Sequence, residues 1–441
     1  MEKKKVLFYT FTPRAFRSVL IGHLYAICQK WPTVLISEKM DAKTESILNE
    51  KSFFPYLENI MPISQFTGEI KKNLFSQNKY LYSLARKAVE QEKPHVVISA
   101  SDMHSLFEMY LMRFAKKSGA MVVCFQTGAA ADSRLTAKWV ERINAEESFS
   151  RFLPLFLRIF LARCRKWIGH ILYHWILPLS VGQKPLTGKS SYILWKGIEG
   201  MRQADYQVVF SKRDFETYLA SGVSKEKLRI LPHPLAVKGT RSFLEQVFFE
   251  KSDSNGKKNI LLLVPIAQGF KRSDWSPILY EDRLKSWLEI ISLVKNTLPG
   301  WEITVSPHPS VKDAQAIQKK IKDISPSIVF NLQDPVEKCL SIADAVVGLP
   351  RSASTVLFIA SLQDRQRPIA TLDFDDEIIG DFYKNFEGID YISNQNQFVS
   401  FLKKIGNMDF RTGQKSDGLN DYGTLDLLKD LINEHDKETG S

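Results

Sequence analysis

Short apolar runs alternate with amphipathic stretches along most of the chain, first over residues 6–125 and again from residue 259 onwards. In the first series, residues 6–10, 33–37 and 120–125 predict buried strands, and residues 16–29 and 103–117 have the spacing of helices. Residues 40–60 are expected to be helical or irregular. Short apolar strands that alternate with helices predict a parallel sheet covered on both faces.

The second series repeats this alternation. Strands are predicted at residues 260–264, 302–306, 328–330, 345–347 and 368–372, and helices at 284–296, 314–322, 336–342 and 354–362. We therefore predict an α/β fold of two Rossmann-like, doubly wound domains that face a cleft, with a basic amphipathic helical insert. The expected boundaries are 1–235 for the first domain with its insert at 148–202, 236–258 for a linker, 259–410 for the second domain, and 411–441 for a C-terminal helix and tail.

The insert carries most of the charge excess. The 441 residues include 60 Lys and Arg against 49 Asp and Glu, a net charge of +11, and residues 151–202 alone hold nine basic residues and one acid. Aromatic and aliphatic residues separate these cations, a composition typical of helices that lie in a lipid interface. The predicted contacts with an anionic membrane surface are Arg158, Arg163, Arg165, Lys166, Trp167 and Trp175. An ordinary core helix pair or a protein-binding face remains the alternative, and large aliphatic residues disfavour nucleic acid.

Several classes of protein are disfavoured by what the sequence lacks. Its four cysteines form no CxxC pair, which argues against a disulfide framework or a zinc cluster and favours buried, reduced thiols. We expect no signal peptide, because the first apolar run is too short, and no membrane-spanning helix, because no stretch of about 20 apolar residues lacks charge. P-loop, GxGxxG, GxSxG and HExxH motifs are also missing. His170 and His174 share a spacing of four but have no acid or cysteine nearby, so no metal and no cofactor is predicted.

Three loops after strands of the second domain carry groups that bind phosphate. His308 lies between two prolines directly after a strand, and a Gly/Pro loop with Arg351, Ser352 and Ser354 leads into a helix that begins near Thr355. Free amides at a helix start bind anions. Lys271 and Arg272 follow the first strand of this domain and could neutralise a diphosphate. Turn formation, N-capping and a solvated loop are the respective structural alternatives.

The order of these motifs resembles that of GT-B glycosyltransferases of bacterial surface-polysaccharide synthesis. The HP turn at His308, the Ala-Asp strand at 343–347, the Ser-rich helix start and Pro368 are similar to those of sialyl- and Kdo-transferases, and CDP-glycerol glycerophosphotransferases share the pattern. Residues 204–234 resemble the closing part of the family's first domain. Phe125-Gln126-Thr127-Gly128 is similar to its Gln-His-Gly turn, with Thr127 in place of His.

The resemblance implies that His308, Ser352, Ser354 and Thr355 contact the donor phosphate. An inverting transfer also needs a base, which should come from the first domain. Asp102 and His23 are the predicted catalytic residues there, with His104 and Asp132 as further candidates, and Arg14 and Arg17 are predicted to bind an anionic acceptor. The sialyltransferase acidic motif is missing, which leaves donor and stereochemistry open. The nearest approach to a DxD metal motif is the cluster Asp373, Asp375 and Asp376, which we expect to be a loop after a strand and not to bind metal.

The predicted function is transfer of a sugar from a nucleotide-activated donor onto a lipid-linked or membrane-proximal glycan. The protein is expected to be peripheral, on the cytoplasmic face of a bacterial membrane, and to bind no nucleic acid. A CDP-polyol phosphotransferase of the same fold and a non-catalytic assembly factor for polysaccharide synthesis are the alternatives. A sugar-nucleotide epimerase also uses this fold, but the basic insert makes it the weaker reading.

Overall fold

The computed structural model describes two compact units of the chain. It covers residues 4–10, 19–37, 40, 42–63, 74–100, 105–127, 164, 168, 171–184, 203–220, 222–248, 257–264, 277–307, 314–332, 336–349, 355–362, 367–374, 388–407 and 420–439. Within these ranges, the first unit takes residues 4–127, 164–244 and 420–439, and the second takes residues 245–407. The C-terminal residues 420–439 thus return to the first unit.

A seven-stranded parallel sheet forms the centre of the first unit. Its strands are β1 (Val6–Thr10), β2 (Thr33–Ser37), β3 (Leu57–Pro62), β4 (Val96–Ser99), β5 (Met121–Phe125), β6 (Tyr206–Val209) and β7 (Leu228–Ile230). They lie in the order β3-β2-β1-β4-β5-β6-β7. Because the chain builds outwards from β1 in one direction and then resumes beside it with β4, the topological switch point lies between β1 and β4.

Helices cover this sheet where the sequence has apolar positions at helical spacing. They are α1 (Ile21–Cys28), α2 (Ala42–Asn49), α3 (Leu74–Glu92), α4 (Leu106–Lys117), α5 (Leu177–Ser180), α6 (Lys212–Ala220) and α7 (Lys238–Phe248). A π-helical turn, Leu172–Ile176, leads into α5, and a 3-10 turn, Pro234–Ala236, precedes α7. Helices α3 and α4 pack together on one face of the sheet, where Ala85, Tyr110 and Met112 lie in a shared hydrophobic cluster.

The second unit contains a six-stranded parallel sheet. Its strands are β8 (Asn259–Val264), β9 (Glu302–Pro307), β10 (Val329–Phe330), β11 (Ala345–Gly348), β12 (Ile369–Leu372) and β13 (Asp390–Ile392), in the order β10-β9-β8-β11-β12-β13. The helices after α7 are α8 (Pro277–Thr297), α9 (Ala314–Ile324), α10 (Val336–Ile342), α11 (Thr355–Leu362), α12 (Gln395–Gly406) and, in the first unit, α13 (Thr424–Thr439). The switch point of this sheet lies between β8 and β11. The predicted α/β class with two Rossmann-like domains is confirmed.

Two edge strands differ from the sequence prediction. Residues 40–60 were expected to be helical or irregular; the helix α2 agrees with this, but the segment also contains most of the edge strand β3. β3 buries only Leu57 completely, and the three-residue edge strand β13 buries only Ile392, so neither has the apolar run that marks the central strands. The segment 236–258, expected to be a polar, helical or loose connector, contains the helix α7, in which Phe243 and Leu244 are buried.

The start of α7 and the C-terminal return segment are joined by backbone hydrogen bonds. Lys238 N–H donates to the Asn420 carbonyl at 3.1 Å, and Asn420 N–H donates to the Ala236 carbonyl at 3.0 Å. Beside this pairing, α1 packs tightly on the 3-10 turn: a Cβ placed on Gly22 would lie 2.5 Å from Cβ of Pro234. A side chain at position 22 would therefore displace the turn, and glycine is needed there for close approach.

Among the described helices, none combines the length and the apolar character needed to cross a membrane. The four cysteines are free thiols; Cys28, Cys124 and Cys339 are buried and Cys164 is partly exposed. The prediction of mostly buried, unpaired cysteines agrees with this arrangement.

Candidate functional site

The three predicted phosphate-binding loops begin at three adjacent strands of the second sheet. β8 lies between β9 and β11, and in this parallel register Val264 pairs with Pro307 and Leu263 with Gly348. The three strands therefore end within one residue of each other. Loops that start level on neighbouring parallel strands share one edge of the sheet, and this edge includes the switch point where ligands of doubly wound sheets bind.

The predicted side chains in these loops lie outside the described residues. Lys271 and Arg272 follow β8, His308 follows β9, and Arg351, Ser352 and Ser354 follow β11. Helix α11 begins at Thr355, and six residues separate it from the end of β11, so its first turn follows the loop that leaves this edge. The amide groups of a first helical turn have no partner within the helix and carry partial positive charge. The first turn of α11 therefore carries the partial positive charge that the sequence prediction expects at the end of this loop.

The predicted acceptor residues and the predicted base follow two adjacent strands of the first sheet. β1 and β4 pair in parallel from Val6 and Val96, and Arg14 and Arg17 come after β1, while Asp102 comes after β4. These three side chains also lie outside the described residues. Their segments leave the sheet at its switch point, which is the position that the sequence prediction requires of an acceptor site.

A buried polar network, which the sequence analysis did not predict, connects this edge with α4. Ser105 is the N-cap of α4: its Oγ accepts from Glu108 N–H at 3.1 Å and lies 3.0 Å from the Tyr9 hydroxyl. The Glu108 carboxylate is buried and accepts a short hydrogen bond from Ser99 Oγ. Ser99 ends β4 and Glu108 lies in the first turn of α4, so this bond holds together both ends of the segment that contains Asp102. The Ser-x-x-Glu capping pattern was the sequence signal for it.

His23, the second predicted catalytic residue, lies in α1 with its imidazole fully buried. Its Nδ1 is hydrogen-bonded to Thr424 Oγ1 at 2.8 Å, and its ring centroid lies 4.2 Å from that of Phe125. Nε2 has no hydrogen-bond partner within the described part of the chain. Burial, and secondarily the nearby His233, hold the pKa of His23 well below its ordinary value, so the ring is neutral. Without exposed surface the ring has no contact with solvent here, and its catalytic role stays a prediction.

His233, in the Pro-His-Pro turn after β7, is a second buried imidazole of the first unit. Its Nδ1 accepts from Leu235 N–H at 3.2 Å, and its ring meets Phe210 edge-on at 5.0 Å. Burial lowers the pKa of His233 to about 3. A neutral ring that caps a 3-10 turn is a structural element, and it lies directly before this turn, Pro234–Ala236, and five residues before α7.

The turn that resembles Gln-His-Gly has a structural role for its first residue. Gln126 is buried, and its Oε1 accepts from Phe210 N–H at 3.0 Å, which joins the end of β5 to the end of β6. Asp373, from the acidic cluster after β12, is also buried and accepts from the Tyr391 hydroxyl at 2.7 Å. No group of three or more potential metal ligands occurs among the residues that the structure describes.

Of the predicted membrane contacts, Trp175 is described, and 43% of its surface is exposed. Arg158, Arg163, Arg165, Lys166 and Trp167 lie outside the described residues. A groove of about 650 Å³ lies on the helical layer of the second unit, between α8 and α9, with Leu288, Ser292 and Lys320 in its walls. None of the predicted site residues lines this groove, so it does not coincide with the loop edge of the sheet.

Comparison with known proteins relates the chain to others by structure alone. No protein-family model and no curated protein sequence matches it. UDP-N-acetylglucosamine 2-epimerase from Rickettsia bellii matches with a TM-score of 0.55 and 12% identity over 99% of this chain and 98% of that one. S. aureus MnaA, solved with UDP, matches with a TM-score of 0.55 and 12% identity over 99% and 97% of the two chains. At this identity the likeness establishes the fold: this chain has the same two-domain fold as these structures.

Proposed function

We propose that the protein is a glycosyltransferase that moves a sugar from a nucleotide-activated donor onto a lipid-linked or membrane-proximal glycan. The observation that carries this proposal is the level ending of β9, β8 and β11, whose following loops contain His308, Lys271 with Arg272, and the Ser-rich start of α11. Cations, an imidazole and free helix amides suit a diphosphate that leaves with negative charge. The motif order of GT-B transferases and the shared fold with a structure solved with UDP support the same donor class.

The chemistry divides between the two units. In the second unit, His308, Ser352 and Ser354 hold the donor phosphates while Lys271, Arg272 and Arg351 neutralise them. In the first unit, Arg14 and Arg17 bind the acceptor. The acceptor oxygen forms a bond to the anomeric carbon, the bond from that carbon to the phosphate oxygen breaks, and the leaving nucleotide keeps the electron pair. For an inverting transfer, Asp102 takes the hydroxyl proton; a retaining transfer would use other groups.

A thermal-shift panel tests the donor site. CMP, CDP, UDP, GDP and their sugars are added to the native protein, to His308→Ala and to the control His95→Ala, which alters an exposed histidine of the first unit. A ligand at 100 times its dissociation constant stabilises by about 2.7 kcal/mol. We expect one nucleotide to shift the native and control proteins but not His308→Ala. An equal shift in His308→Ala would remove His308 from the site, and no shift with any nucleotide would contradict the proposed function and favour the assembly factor.

The same panel separates the polyol alternative, because a CDP-polyol phosphotransferase would respond to CDP and CDP-polyols. A second candidate has a specific observation in its favour: the solved structures with the same fold include UDP-N-acetylglucosamine 2-epimerases. An epimerase needs no acceptor. Incubation of the protein with UDP-N-acetylglucosamine alone, followed by NMR, should leave the sugar unchanged if the protein is a transferase, and conversion to the 2-epimer would establish the epimerase instead.

A further inference from the structure

The described part of the basic insert is a short helical segment with one face in the protein core. Leu177, the first residue of α5, is fully buried in the hydrophobic cluster that α3 and α4 form, and Leu172 and Val181 pack against the same cluster. Leu172 lies in the π-helical turn and Val181 follows α5 directly. The segment is therefore fixed to the first unit along its inner side.

A buried asparagine holds this segment in place. Asn78 of α3 donates from Nδ2 to the Leu177 carbonyl at 2.7 Å and to Ser180 Oγ at 3.0 Å, and its Oδ1 accepts from the Tyr110 hydroxyl at 2.6 Å. Farther along, Gln183 donates to the Tyr82 hydroxyl at 3.0 Å. These bonds use polar groups of α3 and α4 that would otherwise be buried without partners. Because these hydrogen bonds hold the inner side of the segment, the residues on its outer side have a fixed orientation.

The outward side of this segment carries large apolar residues. The exposed fractions are 43% for Trp175, 43% for Ile176 and 56% for Leu179, all within five residues. A helix whose inner face packs on a core normally has polar residues outside. Single exposed apolar residues are common, but several together mark a surface that binds another apolar phase. We call Trp175, Ile176 and Leu179 the apolar tip.

The positive charge of the sequence on both sides of the apolar tip indicates which apolar partner the tip binds. Residues 151–198 contain no Asp or Glu, and Lys184, four residues after α5, is exposed. A bilayer with anionic headgroups offers an acyl region for the tip and negative charge for the cations that flank it in the sequence, and tryptophan favours this boundary. We infer that the apolar tip inserts into the interface of an anionic lipid bilayer, with Asn78 as the residue that fixes its orientation. The binding itself is independent of catalysis; its purpose, access to a lipid-linked acceptor, rests on the proposed function.

Vesicle co-sedimentation tests the inference. The probes are phosphatidylcholine vesicles with and without phosphatidylglycerol, and the variant is W175Q/I176Q/L179Q. Leu219→Gln is the matched control, since Leu219 of α6 is 42% exposed and lies outside the insert. We expect the native protein and the control to bind the anionic vesicles, and the triple variant to bind at least about tenfold more weakly. Native-like binding of anionic vesicles by the triple variant would overturn the inference, as would native protein that does not bind them.

A second variant covers the case in which the triple variant does not fold. Replacement of Arg158, Arg163, Arg165 and Lys166 with Glu reverses the charge of the insert and should release the protein from anionic vesicles, while unchanged binding would contradict the inference. Circular dichroism and the thermal midpoint check each variant for folding. Nucleotide binding by the native protein is measured without lipid, so a failed donor site and a failed membrane site give different results.

Discussion

Acidification should destabilise the first unit through its two buried imidazoles, His23 and His233. Burial lowers the pKa of both, to about 3 for His233. In the unfolded chain a histidine has a pKa of about 6.5. Between these values the unfolded state binds a proton that the folded state does not, so stability is complete above about pH 6.5 and falls as the pH decreases towards 3.

The size of the effect follows from the two pKa values of His233. At pH 5 the unfolded imidazole is almost fully protonated and the folded one is not, which costs about 2 kcal/mol relative to neutral pH. His23 acts in the same direction. His233→Asn removes the titration, and its Oδ1 can still accept from Leu235 N–H, because it occupies the place of Nδ1. The variant loses ring packing, but this loss is the same at both pH values.

Urea unfolding at pH 7.5 and pH 5.0, followed by circular dichroism, measures the difference. The native protein should lose about 2 kcal/mol more than His233→Asn between the two pH values. Leu219→Gln changes an exposed residue of the same unit that carries no titratable group, and it should keep the native pH dependence. If His233→Asn loses as much stability on acidification as the native protein, then the burial of His233 does not control its titration and the reasoning fails.

Two further predictions concern packing and thiol chemistry in the first unit. Gly22→Ala should lower stability by about 1–3 kcal/mol because its Cβ would overlap Pro234, whereas Gly239→Ala, with no atom within 4 Å, should raise it by up to about 1 kcal/mol; thermal unfolding of both variants measures this, and equal effects would contradict it. Burial raises the pKa of the Cys28 thiol to about 12, so at pH 8 a thiol reagent should modify the partly exposed Cys164 but reach Cys28 only after unfolding. Mass spectrometry of the modified peptides checks this, and rapid modification of Cys28 in the folded protein would refute it.

The local pattern of hydrophobic and polar residues was sufficient to predict the central strands and most helices. β1 and β2 have the predicted bounds, and all five residues of each strand are buried. The alternation of such strands with helices also led to the two-sheet α/β fold. β3 and β13 were not predicted because each buries a single residue and has no continuous apolar run. The edge strand β10 also buries little, but Ile328, Val329 and Phe330 form an apolar run that the sequence shows.

The proposed donor-binding edge, where β9, β8 and β11 end, could be recognised only from the sequence motifs and the strand order together. The sequence indicated which loops carry phosphate-binding groups, because prolines, cations and a Ser-rich helix start can be recognised within a few neighbouring residues. It did not indicate that β8 lies between β9 and β11, which follows from backbone pairing of segments about 40 and 85 residues apart. That strand order places the three loops at the same edge of the sheet.

What only the tertiary structure decided is which polar groups are buried and what they bind. His23 is bonded to Thr424, a residue 401 positions away, and Asn78 to residues about 100 positions away. Burial and hydrogen bonding at such separations depend on how distant segments pack, and no local period encodes this. The sequence determined the strands, the helices and the charge of the insert; packing decided that one predicted base is enclosed, that Glu108 is buried at the edge of the first sheet, and that Trp175 points outward.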